Sequence, residues 1–159
     1  PNQNWRIVGV GDFNNDSRAD LFWRQIATGE TWVYLMNGSS ISAQGPLTTV
    51  CDLNWLPVGV GDLNGDGRAD VVWRHQVSGE NYVWFMNGLG LSGLSRINYV
   101  SNLNWQVADI GDFNNDGKAD LFWRNIATGE TWVYLMNGAS ISAQGPLPTV
   151  TDLNWKPVP

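Results

Sequence analysis

Residues 12–38 read DFNNDSRADLFWRQIATGETWVYLMNG, and residues 112–138 read DFNNDGKADLFWRNIATGETWVYLMNG. The same frame returns at 62–88 as DLNGDGRADVVWRHQVSGENYVWFMNG. The period is 50 residues: Trp5, Trp55, Trp105 and Trp155 mark it, as do Arg24, Arg74 and Arg124. Residues 12–50 and 112–150 differ at only five positions, whereas the middle copy has diverged and so displays what one unit can vary while keeping its plan. Repeats of this length mark supersecondary units that bury their apolar faces against one another.

Within the first unit, β-favouring runs alternate with turn residues. Strands are expected over 7–10, 20–24, 31–36 and, more weakly, 40–50. Ala27-Thr28-Gly29 supplies one tight turn, and Asn37-Gly38 is a strong hairpin signal. Helical periodicity is absent. Four antiparallel strands in such a unit match the size of a propeller blade. The second and third strands carry large apolar groups on both faces, as a blade sandwiched between neighbours requires. The expected fold is all-β, a β-propeller of four-stranded antiparallel blades with three blades per chain, at 1–50, 51–100 and 101–150. Residues 151–159 repeat the start of a unit and would begin a further blade or pair with a neighbouring chain. A β-solenoid is the runner-up, but its coils are shorter and depend less on tight hairpins.

The loops between the first and second strands carry the sharpest chemical signal. Loop positions 1, 3, 5 and 9 are oxygen donors in all three copies: Asp12, Asn14, Asp16 and Asp20; Asp62, Asn64, Asp66 and Asp70; Asp112, Asn114, Asp116 and Asp120. Calcium takes about six to eight oxygens, and alternate residues of a curled loop can converge on one ion. The main-chain carbonyls at position 7, from Arg18, Arg68 and Lys118, would complete the ring. Gly67 and Gly117 at position 6 permit the sharp turn, while Ser17 replaces Gly in the first copy and is expected to strain its loop. No Glu stands at position 12 and the flanks are strands, so these loops are not EF-hands. They hold nine of the fifteen acidic residues, and three bound Ca²⁺ would bring the formal charge of −6 to zero. Asp- and Asn-rich loops can also be simple solvated turns. Three in register, with the divergent copy intact, favour metal. Magnesium, which demands strict octahedral geometry, fits less well.

The pattern GD-[FL]-N-x-D-x-[RK]-AD, followed by an apolar pair and Trp-Arg, resembles the FG-GAP or VCBS repeats, best known from the integrin α-subunit head. The resemblance covers nearly the whole chain and implies calcium ligands at the loop residues named above. Asn14, Asn64 and Asn114 depart from the acidic third ligand often found there, which lowers the charge of each site. The resemblance further implies a secreted or cell-surface location. Its members include adhesins, lectins and domains attached to extracellular enzymes, so the fold alone selects no ligand.

Bulk properties narrow the classes. The nine Lys and Arg are scattered and the net charge is negative, which argues against nucleic acid. No stretch approaches the ~20 apolar residues of a membrane-spanning helix, so membrane insertion is not expected. Any targeting segment is expected to lie outside the sequence given. Cys51 is the only cysteine and is expected to be a buried or half-buried small apolar residue rather than a reactive thiol.

Propellers close with about four to eight blades, so three form an open arc with two apolar terminal faces. The expected partners are copies of the chain, two giving six blades or three giving nine, or further blades of a longer chain. The function expected is a calcium-stabilised, non-catalytic binding module, with glycans the expected ligand of a lectin or adhesin. A self-assembling scaffold and an accessory propeller of an extracellular enzyme are the alternatives. Of the ten Trp, Trp23, Trp73, Trp123, Trp32 and Trp132 are expected in the inter-blade core, and Trp5, Trp55 and Trp105 are the better candidates for exposed contacts. His75, the only histidine, has no evident acidic or nucleophilic partner and reads as a turn residue. Glu30, Glu80 and Glu130 are expected to pair across the hairpin with Arg24, Arg74 and Arg124.

Overall fold

A computed structural model describes residues 3–155, and these residues are all-β. Three sheets follow one another along the chain, each of four antiparallel strands in sequence order. The first blade holds β1 (Trp5–Gly11), β2 (Asp20–Gln25), β3 (Thr31–Asn37) and β4 (Ser40–Pro46). The second holds β5 (Trp55–Gly61), β6 (Asp70–His75), β7 (Glu80–Asn87) and β8 (Gly90–Tyr99). The third holds β9 (Trp105–Gly111), β10 (Asp120–Asn125), β11 (Thr131–Asn137) and β12 (Ser140–Leu147). Of the segment expected to begin a further blade, residues 156–159 lie outside the described residues.

The expected strands are present, with one shortened. β4 ends at Pro46, although the chain stays fastened to the blade as far as residue 50: Leu47 N–H donates to Thr31 C=O and Val50 N–H to Gly29 C=O. The β3–β4 register slips by one residue at Ser42, and its hydroxyl donates to Leu35 C=O at 3.0 Å. The bulge therefore brings its own hydrogen-bond partner. Ser92 and Ser142 repeat the device in the other blades.

The core lies between blades rather than within them. Phe13, Phe22, Val33 and Leu35 of blade 1 pack on Val71, Trp73, Trp84 and Met86 of blade 2. Leu63, Val72 and Val83 of blade 2 pack in the same way on Leu121, Trp123 and Met136 of blade 3. Each middle strand sends alternate residues to opposite faces, so one sheet serves two cores. The innermost strands approach so closely that a Cβ at Gly11 would stand 2.5 Å from Ala69 Cβ, and one at Gly61 would stand 2.7 Å from Ala119 Cβ. Glycine is what permits that spacing.

Two features differ from expectation. Glu30, Glu80 and Glu130 do not pair with the arginines; they accept hydrogen bonds from the hydroxyls of Thr28, Ser78 and Thr128 in their own turns. The arginines face the next blade, where the Arg24 guanidinium lies 5.0 Å from the Trp73 ring centre and that of Arg74 lies 5.2 Å from Trp123. In the strand register Arg24 stands opposite Thr31, one residue beyond Glu30. Cys51 is exposed rather than buried, because it sits in the linker between blades, outside either core.

Candidate functional site

The acidic loops are drawn together by their own side chains. In blade 1 the Asp12 carboxylate accepts the N–H groups of Asn14, Asp16 and Ser17 at 3.2, 3.1 and 2.6 Å. Asp16 N–H also donates to Asn14 Oδ1, and Asn14 Nδ2 donates to Asp16 Oδ2 at 3.2 Å. Positions 1, 3 and 5 are thus gathered, and the same links from position 3 to position 5 recur at Asn64 with Asp66 and Asn114 with Asp116. The position-7 residues Arg18, Arg68 and Lys118 are held by their N–H groups to Oδ1 of Asp16, Asp66 and Asp116.

Position 9 plays a different part. Asp20, Asp70 and Asp120 are fully buried at the start of the second strand. Each carboxylate accepts two backbone N–H groups, one from the loop and one from the third strand: Phe13 and Met36, Leu63 and Met86, Phe113 and Met136. The aspartate pins the loop to the blade. Burial pushes the Asp70 carboxyl up to about 7, with the charges of Asp66 and Asp62 adding to the effect. Asp20 is raised for the same reasons, burial first and then Asp16 and Asp12. A buried carboxylate beside two more calls for a cation. Among the described residues, protein cations meet these carboxylates only at the edge, where Arg18 reaches Asp16 at 3.1 Å and Arg68 reaches Asp66 at 3.6 Å.

The loop backbone bears out the expected turn. Gly67 and Gly117 have φ of 82° and 81°, and Ser17 is held at 65°, a conformation unfavourable for a residue with a side chain. A second position escaped the sequence reading: Asn15 and Asn115, at φ 61° and 60°, also enter the left-handed region, which Gly65 occupies in blade 2. Asn tolerates it better than most residues. The donor set fits calcium in kind, being oxygen throughout. Among the described residues no three acidic, His or Cys side chains form a metal cluster by themselves, so a cation would draw also on amide and main-chain oxygens.

The loops also join the blades. Asp12 C=O accepts from Ala69 N–H at 2.7 Å and Phe13 C=O from Gly88 N–H at 2.7 Å. One blade further on, Ala119 N–H donates to Asp62 C=O and Gly138 N–H to Leu63 C=O.

A second feature lies at the junction of blades 1 and 2, where Val50, Trp55, Trp73, Tyr82 and Trp84 line a pocket of about 170 Å³. Trp73 and Trp84 stand 4.6 Å apart and Trp55 meets Tyr82 edge-on at 5.4 Å. Trp73 Nε1 and both terminal nitrogens of Arg24 are buried without a protein hydrogen-bond partner. Burial pulls the Arg24 guanidinium below its ordinary value. Arg74 differs: it donates to Gly79 C=O, Asn81 Oδ1 and Val100 C=O. Thr31 stands in blade 1 where Asn81 stands in blade 2, and its hydroxyl is turned to Thr48 C=O.

Of the tryptophans, Trp73 and Trp123 are core residues as expected, while Trp23, Trp32 and Trp132 are only partly buried. Trp55 and Trp105, expected as exposed contacts, are half-buried against the two cores. The importance of Trp84 was not foreseen, because Tyr34 and Tyr134 stand at its place in the other blades. His75 ends β6 and does have an acidic partner: its Nε2 lies 3.0 Å from Asp52 Oδ2, across a turn of the linker. Ser78 N–H donates to Nδ1, so Nε2 carries the proton toward Asp52. The Ser78 hydroxyl turns to Glu80 instead. The trio fastens the inter-blade linker and leaves no nucleophile on the imidazole.

Among solved structures the chain is similar to a lectin from Agrocybe aegerita characterised for specific recognition of non-reducing terminal N-acetylglucosamine, with a TM-score of 0.69 and 14% identity. The match covers 92% of this chain and 40% of the lectin, so the chain spans about two-fifths of that protein's length. No curated protein matches it. Residues 12–73 and 62–123 each match the FG-GAP-like repeat, and together they take in the acidic loops of all three blades. Most of the sequence being so matched, the chain belongs to the FG-GAP-like repeat family.

Proposed function

We propose that the chain is a non-catalytic, calcium-stabilised propeller module that binds carbohydrate at its inter-blade junction. The pocket of Val50, Trp55, Trp73, Tyr82 and Trp84 carries this reading, because it gathers four aromatic rings around one concavity, and one of them, Trp73, has a buried Nε1 without an acceptor. An unpartnered buried donor costs about 1–3 kcal/mol. The C–H faces of a sugar ring would lie on the aromatic rings, and a hydroxyl that reached Trp73 Nε1 would remove that cost. The architecture shared with an N-acetylglucosamine-recognising lectin supports the same class of ligand.

Calcium would be held by Asp12, Asn14, Asp16, the Arg18 carbonyl and Asp20, and by the equivalent residues of the other two loops. When bound it would supply positive charge to a loop that carries three carboxylates. Asp20, Asp70 and Asp120 transmit that order to the blades through their paired N–H groups, and the Asp12 and Asp62 carbonyls transmit it to the next blade. Three ions per chain are expected. Secretion or surface display follows from this reading, since extracellular calcium fills such sites; among the described residues no helix is long and apolar enough to cross a membrane.

A glycan array screened with and without chelator, followed by titration of the best sugar, tests the proposal. Saturable binding that falls at least tenfold in Tyr82→Ala is the expected result. No binding to any glycan by the calcium-loaded protein would overturn it and leave the scaffold reading.

A further inference from the structure

The two ends of the arc carry the two halves of an interface that the chain already uses twice. Phe13, Phe22, Val33 and Leu35 are sealed beneath blade 2, with exposures of 0, 0, 0 and 9%. Among the described residues no blade covers their repeats in blade 3: Phe113 is 51% exposed, and Phe122, Val133 and Leu135 are only partly covered. At the other end, Trp23, Tyr34 and Met36 of blade 1 are partly open, whereas their counterparts Trp73, Trp84 and Met86 are 2, 8 and 0% exposed under blade 1. The directional bonds are complementary as well. Asp12 and Phe13 C=O accept from Ala69 and Gly88 N–H, and Asp62 and Leu63 C=O accept from Ala119 and Gly138 N–H. Among the described residues, the equivalent acceptors Asp112 and Phe113 C=O and the equivalent donors Ala19 and Gly38 N–H make no inter-blade bond.

We infer that the open face of blade 3 docks on the open face of blade 1 of a second copy, head to tail, in the geometry of the internal junctions. Asp112 and Phe113 C=O of one copy accept Ala19 and Gly38 N–H of the other, and Phe122 meets the second copy's Trp23 as Phe22 meets Trp73, with Phe113 buried beside it as Phe13 is. The occupant is a second copy because both halves of the contact, apolar and hydrogen-bonding, lie on this one chain. Such a heterologous contact repeats from copy to copy, giving a ring where its rotation closes and an open filament where it does not.

Docking also completes a binding site. Trp5, Trp23, Trp32, Tyr34 and Gln44 line a concavity of about 350 Å³ on blade 1, the counterpart of the junction pocket without a wall from a preceding blade. Val50 is that wall internally, and Val150, 39% exposed, is its repeat. The role of this added pocket rests on the carbohydrate reading; the docking itself does not.

Sedimentation velocity over a dilution series, without sugar, tests the docking. The wild-type chain associates, whereas Phe113→Asp and Trp23→Asp are each monomeric with unchanged circular dichroism. Mixed, the two variants form a one-to-one pair, because each retains the half that the other lacks; this rescue also proves both folded. A monomeric wild-type chain overturns the inference, as does either variant self-associating alone, which would mean that like faces meet. Failure of glycan binding in a chain that associates as described would count only against the carbohydrate reading.

Discussion

Blades 1 and 3 are nearly the same sequence and occupy opposite conditions. Phe13 is fully buried and Phe113 is 51% exposed; Trp123 is 1% exposed and Trp23 is only partly buried. Strand register, loop conformation and anchoring aspartates are shared, so the backbone plan is local to a blade. Burial is not. It depends on which face has a neighbour, and stability here is therefore a sum of blade and interface terms, as in other repeat arrays.

The largest test of that difference is at the paired phenylalanines. Phe22→Ala empties a site between blades where Phe22 meets Trp73 and Trp84 edge-on, and should cost about 3–5 kcal/mol in urea unfolding. Phe122→Ala, on the uncovered face, should cost roughly 1 kcal/mol in monomeric protein, in line with its smaller buried area. Equal losses would mean that the two faces are equally covered.

Asp70→Ala should come next. It leaves the buried N–H groups of Leu63 and Met86 without acceptors, at about 1–3 kcal/mol for each orphaned group, partly offset by removing a charge that burial disfavours. Urea midpoints for Asp70→Ala and the isosteric Asp70→Asn separate the two effects, since Asn keeps one acceptor and removes the charge.

Gly11→Ala and Gly111→Ala sharpen the comparison on the inner strands. A Cβ at Gly11 meets Ala69 of the next blade at 2.5 Å, whereas one at Gly111 finds only Phe113 at 3.7 Å, an ordinary contact. Thermal unfolding should show about 1–3 kcal/mol lost for the first and almost none for the second.

The smallest effect runs the other way. Ser17→Gly relieves a positive φ that the other two loops assign to glycine, and should raise stability by roughly 1 kcal/mol, read as an upward shift in Tm. The Ser17 N–H bond to Asp12 is kept by glycine, as at Gly67 and Gly117, so no shift would mean that glycine's greater freedom in the unfolded chain offsets the relieved strain.

Much of this was legible in the sequence because it is local. The turn residues placed the hairpins at 27–29 and 37–38, and the alternate spacing of Asp12, Asn14 and Asp16 marked the loop whose side chains the structure ties together by hydrogen bonds. The linker contact of Asp52 with His75, 23 residues apart, was not legible, nor was the preference of Arg24 for a Trp 49 positions away over a Glu six positions away. The first is set by the pairing of β5 with β6, which brings His75 beside the turn that carries Asp52, and the second by the packing of one blade on the next; a strand pattern encodes neither. Cys51 was misjudged for a related reason: its residue type favours the interior, but its position is a linker. Asn15 and Asn115 could have been found, since Gly65 at their place in the divergent blade signals a positive φ.

The central claim, that each acidic loop is a cation site, is tested most directly by native mass spectrometry of the chain in calcium, before and after chelation. The account predicts three calcium ions per chain, lost together with thermal stability when the chelator is added. A chain that carries no calcium and unfolds identically in both conditions would contradict it.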